Sequence, residues 1–190
     1  TGAVVFSKNE TIGLATASTL KIVTAATAYE LLGKDFRYKT DFGYKGEING
    51  NVLKGVVYIN PSGDPTLGSW RWDATKDEAL IKRVVAAFKK IGINRVGSIF
   101  INHQGWDSET IPDGWIWQDV GNYYGAGAAA FNWRENQYDI ILRSTDKMGS
   151  AVEIVETKPK LFSFTVASKV TAGPRGSGDN SYVYYPLNTK

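Results

Sequence analysis

Cysteine is absent from the 190-residue chain, which excludes disulfides, zinc–thiolate sites and cysteine catalysis together. That absence is compatible with either redox compartment. There is one histidine, His103, so a Ser-His-Asp triad would have to use it, and no nucleophile-elbow pattern surrounds it. A lone histidine after a strand reads as structural. Charge of one sign is not in excess: 22 Lys plus Arg against 19 Asp plus Glu leave +3. The basic residues are scattered, whereas nucleic acid calls for a clustered basic face. No run approaches the ~18 apolar residues of a membrane helix. The chain opens without an initiating methionine or a charged-then-apolar leader, as a mature exported protein or an internal fragment would. Phosphate loops, nucleotide fingerprints, metal-ligand spacings, repeats and low-complexity tracts are also missing.

What is present suits a folded α/β chain. Hydrophobic residues make up 43% and charged residues 22%, enough for a real core in one sizeable domain or two small ones. Ala3 to Ser7, the turn Lys8-Asn9-Glu10 and Thr11 to Leu14 read as a hairpin. From Thr16 to Leu32, Leu20, Val23, Ala26 or Thr27, and Leu31 recur at helical spacing, with Gly33 as the stop. Short strands follow at Phe42-Gly43-Tyr44 and Val52 to Ile59, the latter ended by Asn60-Pro61-Ser62-Gly63. A second helix is predicted with Thr75 as cap and Glu78 closing a capping box. Leu80, Ile81, Val84, Val85 and Phe88 form its apolar face, Lys82, Arg83, Lys89 and Lys90 its solvated one, and Gly92 its end. Val96 to Ile101 reads as a buried strand. Trp106 to Trp133 is aperiodic and aromatic, which marks it as functional rather than disordered. Beyond it, Tyr138 to Arg143, Ala151 to Glu156, Phe162 to Val170 and Tyr182 to Tyr185 read as strands, with a glycine-rich loop at Gly173 to Gly178.

Ser18-Thr19-Leu20-Lys21 is a Ser-x-x-Lys sequence. Three residues apart on a helix places both side chains on one face, where the lysine amine can take the serine proton. A lysine is protonated near neutral pH unless burial or a second cation lowers its pKa, so such a base needs a particular setting. The pattern alone is weak: with 12 serines and 15 lysines a chance match is expected, and Ser144-Thr145-Asp146-Lys147 is a second one. Ser144 lies in a polar turn after a strand. Ser18 lies at the mouth of an apolar helix among small neighbours, Thr16 and Ala17; the alternative there is a serine capping a core helix. Asp64, Asp107, Glu109, Asp113 and Asp119 include enough carboxylates for a glycosidase pair, although loops are routinely acidic. Trp70, Trp72, Trp106, Trp115, Trp117 and Trp133 are read mostly as core, with a sugar-stacking platform as the alternative.

Ala17 to Ala26, followed by Leu31-Leu32-Gly33 and Phe36 to Thr40, resembles the active-site helix of penicillin-binding D-Ala-D-Ala carboxypeptidases. It is similar above all to the low-molecular-mass carboxypeptidase/endopeptidase branch, which carries a large insertion after this helix. Ser62-Gly63-Asp64-Pro65-Thr66-Leu67, Val96 to Ile101, and Gly114-Trp115-Ile116-Trp117-Gln118-Asp119 leading to Tyr124-Gly125-Ala126 follow in that branch's order. The resemblance runs from residue 1 to about residue 145. It implies that Ser18 is acylated by the penultimate D-Ala carbonyl and that Lys21 accepts its proton. Asp119 matches the acid of the family's Trp-x-Asp segment and borders the substrate site by that resemblance; the alternative is a buried acid holding the aromatic loop together.

The chain departs from the family in three ways. Thr16 stands where proline is usual. The second motif, Ser-x-Asn, matches only as the string Ser7-Lys8-Asn9, while Ser177-Gly178-Asp179-Asn180 has the wrong spacing. The third, Lys-Thr-Gly or Lys-Ser-Gly, is missing. The expectation is an N-terminal piece of a longer enzyme: residues 1–42 as part of a transpeptidase-like core (hairpin plus nucleophile helix), 43–136 as an inserted α/β region and 137–190 as its β-rich part, α/β (α+β) throughout. The implied activity is serine D-Ala-D-Ala carboxypeptidase or endopeptidase, without metal or organic cofactor, in the periplasm or outer cell envelope. Peptidoglycan stem peptides and β-lactam antibiotics are the implied partners; nucleic acid and a membrane span are not expected. The 190 residues alone are expected to be inactive. The rivals are a non-catalytic cell-wall-binding or scaffold fragment, a serine β-lactamase-like hydrolase, against which the large insertion speaks, and an unrelated sugar-binding β-domain supported only by the tryptophans.

Overall fold

No glycine or proline interrupts the run from Leu20 to Leu32, and in the computed structural model it forms helix α1 (Leu20–Leu32), entered through a 3-10 turn at Ala17–Thr19. Gly33 ends the helix at φ +82°, its amide donating to the Tyr29 carbonyl. The structure describes residues 2–106, 109–178 and 180–184. The fold is mixed α+β, and the chain divides into two compact units, residues 1–37 and 38–190.

In the first unit the expected N-terminal hairpin does not form. Residues 2–14 carry no strand, only a turn in which the Ile12 amide donates to the Asn9 carbonyl. A two-stranded ribbon is marginal in water without a neighbouring surface, and none packs on this segment within the unit. Nor does α1 show the single apolar face that its spacing suggested. It is apolar around most of its circumference, and none of its residues is buried.

The second unit is built on a three-stranded sheet of order β1-β2-β3, with β1 at Asp41–Asn49, β2 at Val52–Asn60 and β3 at Arg95–Ile101. β1 and β2 are antiparallel around the two-residue turn Gly50-Asn51. β2 and β3 are parallel, and helix α2 (Asp77–Lys90) makes the crossover between them, as parallel pairing requires. Gly46 lies opposite Gly55 in the hairpin. A Cβ on Gly46 would come within 2.3 Å of the Lys54 carbonyl oxygen, and one on Gly55 within 2.0 Å of that of Lys45. The strands therefore approach each other there as only two glycines allow.

Leu53, Val57 and Ile93 are buried at the centre of this unit, with Ile48 and Phe88 packed against them. Phe88 brings the apolar stripe of α2 to the sheet, while Asp77 and Glu78 in the first turn and Lys89 and Lys90 in the last complement the helix dipole. The helix starts one residue later than expected, with Lys76 in the cap position, and Thr75 makes no cap. Its hydroxyl donates instead to the carbonyls of Ser69 and Trp72, each at 3.0 Å. β3 is an edge strand with Val96, Ile99 and Phe100 exposed, not the buried strand its apolar run suggested.

β4 (Asp139–Arg143) and β5 (Glu153–Lys158) form a separate antiparallel pair. The strand expected over residues 162–170 is absent. Among the described residues its backbone pairs only at its end, where the Val152 amide donates to the Val170 carbonyl, followed by the isolated bridge between Ala151 and Thr171. Residues 182–184 are not a strand either, and Tyr185 lies outside the described residues.

Candidate active site

Ser18 follows Ala17, which adopts φ +45°. A left-handed conformation costs a non-glycine residue roughly 1–2 kcal/mol, and strain of this kind gathers at functional sites. The Thr19 amide and hydroxyl both donate to the Thr16 carbonyl, closing the tight turn that carries the serine. Ser18 then lies one turn before Lys21 at the entrance of α1. The Lys21 Nζ is 3.2 Å from the Ser18 Oγ, within hydrogen-bond reach, and both side chains face solvent. A serine and an amine so placed make a nucleophile and base pair whenever the amine is neutral.

The rival Ser-x-x-Lys sequence is an exposed turn in which Ser144 donates to the Thr145 carbonyl and the Lys147 amide to the Thr145 hydroxyl. His103 offers its carbonyl to the Trp106 amide. Asp64 accepts from the amide and the hydroxyl of Thr66, at 2.8 and 2.7 Å, which makes it a turn residue. Asp107 lies outside the described residues.

Asp119 belongs to the second unit, on the short helix α3 (Trp117–Val120). It is half-buried, and its charge acts on Tyr124. Partial desolvation, and after it the Asp119 charge, holds the Tyr124 hydroxyl above the usual tyrosine pKa. Trp117 lies against Tyr184 with ring centroids 4.9 Å apart, and Tyr123 meets Tyr124 edge to face at 5.1 Å. The structure thus joins Ser18 to Lys21, and separately Asp119 to an aromatic cluster.

The tryptophans depart from the core reading. Trp70, Trp72, Trp106, Trp115 and Trp117 are all exposed, and Trp133 is half-buried. They sit on loops and short turns, which have few neighbouring elements to cover an indole.

One constellation has no sequence signal. Ser69, almost fully buried, donates to Glu135 at 2.7 Å, and Arg71 clamps the same carboxylate through Nε at 2.8 Å and Nη2 at 3.0 Å. Beside it, Arg134 pairs with Asp77 at 2.6 Å and with Asp139 at 3.2 Å. The Arg71 hydrogen bond holds the Glu135 carboxyl below the usual glutamate value, and the Arg134 hydrogen bond does the same for Asp77. Arg134, Glu135 and Asn136 are three consecutive left-handed residues, at φ +51°, +56° and +55°.

The chain matches the model of the D-Ala-D-Ala carboxypeptidase 3 (S13) family over residues 1–183. It is 28% identical over 139 residues to D-alanyl-D-alanine carboxypeptidase DacB of Haemophilus influenzae, an alignment covering 73% of this chain and 27% of that protein. It is 31% identical over 137 residues to the D-alanyl-D-alanine carboxypeptidase of an Actinomadura species, covering 68% and 23%. Among solved structures it is similar to penicillin binding protein 4 of Haemophilus influenzae, with a TM-score of 0.60, 29% identity and coverage of 74% and 29%. The chain therefore spans less than a third of the length of each of these relatives.

Proposed function

The chain belongs to the D-Ala-D-Ala carboxypeptidase 3 (S13) family, and from that membership we propose that the whole protein is a serine hydrolase of D-Ala-D-Ala peptides in which Ser18 is the nucleophile and Lys21 its base. The Ser18 Oγ attacks the penultimate D-Ala carbonyl while its proton passes to the Lys21 amine. The bond to the terminal D-Ala breaks, and the leaving amine takes that proton. Water then hydrolyses the acyl-enzyme and restores the serine. A β-lactam enters by the same first step, its ring amide taking the place of the peptide bond. The observation that carries this reading is the 3.2 Å approach of Lys21 Nζ to Ser18 Oγ inside the family-matched region.

The base must be neutral when it acts; both side chains are exposed in their own unit, and we propose that groups outside residues 1–37 desolvate the amine. Asp119 with its Tyr124 partner is proposed to border the peptide site. The second and third family motifs have no credible match in these 190 residues, and we propose that they carry no acyl transfer by themselves. We propose a location in the periplasm or outer cell envelope, where substrates of that class would lie. Carboxypeptidases of this chemistry react with fluorescent penicillin, so full-length protein is expected to be labelled covalently and Ser18→Ala to remain dark. Undiminished labelling of Ser18→Ala sinks the assignment.

A further inference from the structure

Helix α3 is four residues long, too short to hold its shape by its own hydrogen bonds. Contacts at both of its ends supply what it lacks. At its first residue the Trp117 ring meets Tyr184 with centroids 4.9 Å apart, and Tyr182 lies 6.3 Å beyond Tyr184 in the same way. Past its last residue, Gly121 lies against the backbone of Val183, where a Cβ would come within 1.8 Å of the Val183 carbonyl oxygen. Gly121 has φ −81°, so glycine is required there by the close approach and not by the conformation. Asp119 sits between these two contacts. A further close approach bears on Asp119 itself: Gly125 is buried, and a Cβ on it would come within 1.9 Å of the Asp119 carbonyl oxygen. Residues 182–184, which form no strand, thus lie along the short helix that carries this carboxylate.

We propose that Tyr182-Val183-Tyr184 is a strap that fixes α3, and that Tyr184 is a positioning residue for Asp119 in peptide recognition. The role rests on the reading above, in which Asp119 borders the peptide site. Tyr184 need not touch substrate to matter. Its ring on Trp117 holds the start of the helix, and the Val183 carbonyl on Gly121 holds its end. A misplacement of ~1 Å can cost a positioned group most of its effect, so the strap sets peptide affinity through Asp119. Tyr182 is also near enough for its charge to act on the Tyr124 hydroxyl, as the Asp119 charge does. The strap therefore reaches both members of that pair.

The test uses full-length protein and a D-Ala-D-Ala pentapeptide. Tyr184→Ala should raise KM at least about threefold, the weight of one aromatic pair, whereas Tyr184→Phe, which keeps the ring, should hold the parental value. Because Tyr184 acts through Asp119, the alanine substitution made in an Asp119→Ala background should change KM by less than about 1.5-fold, the non-additivity of coupled residues. A parental KM in Tyr184→Ala, a raised one in Tyr184→Phe, or additive effects in the double variant overturns the positioning role. A second measurement needs no substrate. The Asn122 and Gly125 amides donate to the Asp119 and Asn122 carbonyls, and in Tyr184→Ala they should exchange hydrogen at least about threefold faster as α3 loosens. Penicillin labelling verifies that each variant is folded, and Tyr184→Leu takes the place of the alanine variant if that one does not label. A parental KM in Asp119→Ala sinks the reading of Asp119 and takes the positioning role with it. Parental exchange in Tyr184→Ala sinks the strap whatever the chemistry, so the two failures are distinguishable.

Discussion

The Nζ of Lys21 lies 3.2 Å from the Oγ of Ser18, across one turn of a helix that carries apolar residues on nearly every side and has none of them buried. In a finished fold a helix of that composition is surrounded. The pair is set by local geometry, whereas the dryness its chemistry needs is set by what packs around the helix.

Replacing Lys21 by arginine keeps the charge and the reach but removes the ability to give up a proton. In full-length protein Lys21→Arg is expected to slow penicillin acylation by about a hundred- to ten-thousand-fold, the usual cost of losing a general base. Stopped-flow acylation with a circular dichroism control checks this. A parental rate means that Lys21 only binds or packs.

Asp119 is expected to matter for peptides and little for β-lactams, which lack most of the stem peptide. Asp119→Ala should raise KM for a D-Ala-D-Ala pentapeptide about tenfold or more, while the rate of penicillin labelling stays within about threefold of the parent; removing a charged group from a binding site typically costs that much. Equal loss of both activities, together with a lowered melting temperature, assigns Asp119 to holding the aromatic loop instead.

Acid should loosen the second unit through Glu135 and Asp77. Hydrogen bonds from Arg71 and Arg134 lower their folded pKa values below the ordinary 4.5 and 3.8. The folded state therefore binds their protons less readily than the unfolded state. The associated stability is fully present above those ordinary values and is lost as pH falls through the lower, folded ones. Glu135→Gln should cost about 1 kcal/mol at neutral pH, a charge-assisted bond discounted for the exposure of Arg71. It should also flatten the acid limb of a melting curve taken from pH 7 to pH 3. An acid limb identical to the parent's removes Glu135 from the account.

Leu53 is 1% exposed at the centre of the only cluster of buried apolar residues found among the described ones. Leu53→Ala should destabilise residues 38–190 by about 2–5 kcal/mol, read by urea denaturation. A change under about 1 kcal/mol shows that the site collapses around the cavity.

What can be read from the sequence is local. Ser18 and Lys21 are three residues apart, so helical spacing alone brings them together, and Gly33 announces the end of α1. The stripe from Leu80 to Phe88 marks α2, yet its first turn is not legible, because Thr75 looks like a cap until Ser69 takes its hydroxyl. The apolar N-terminal stretch carries strand propensity and a turn, but a hairpin needs a surface to pack on, and propensity does not say whether one exists. Glu135 reaches Ser69 and Arg71 across 64 to 66 residues. No spacing rule connects such positions, so the clamp emerges only from the fold. The tryptophans mislead for a related reason: an indole's preference for burial says nothing about whether its loop has neighbours.

The facing glycines of the β1–β2 hairpin bear on how this lineage can change. A side chain at 46 or at 55 would collide with the opposite backbone, and no smaller residue remains across the ladder to make room for it. Neither codon can therefore drift alone, and a paired change fares no better, because both newcomers would need the same space. A descendant that loses either glycine must also have moved the facing backbone of the hairpin. Shared possession of the pair would then trace the ancestry of this sheet independently of whether Ser18 and Lys21 still do chemistry.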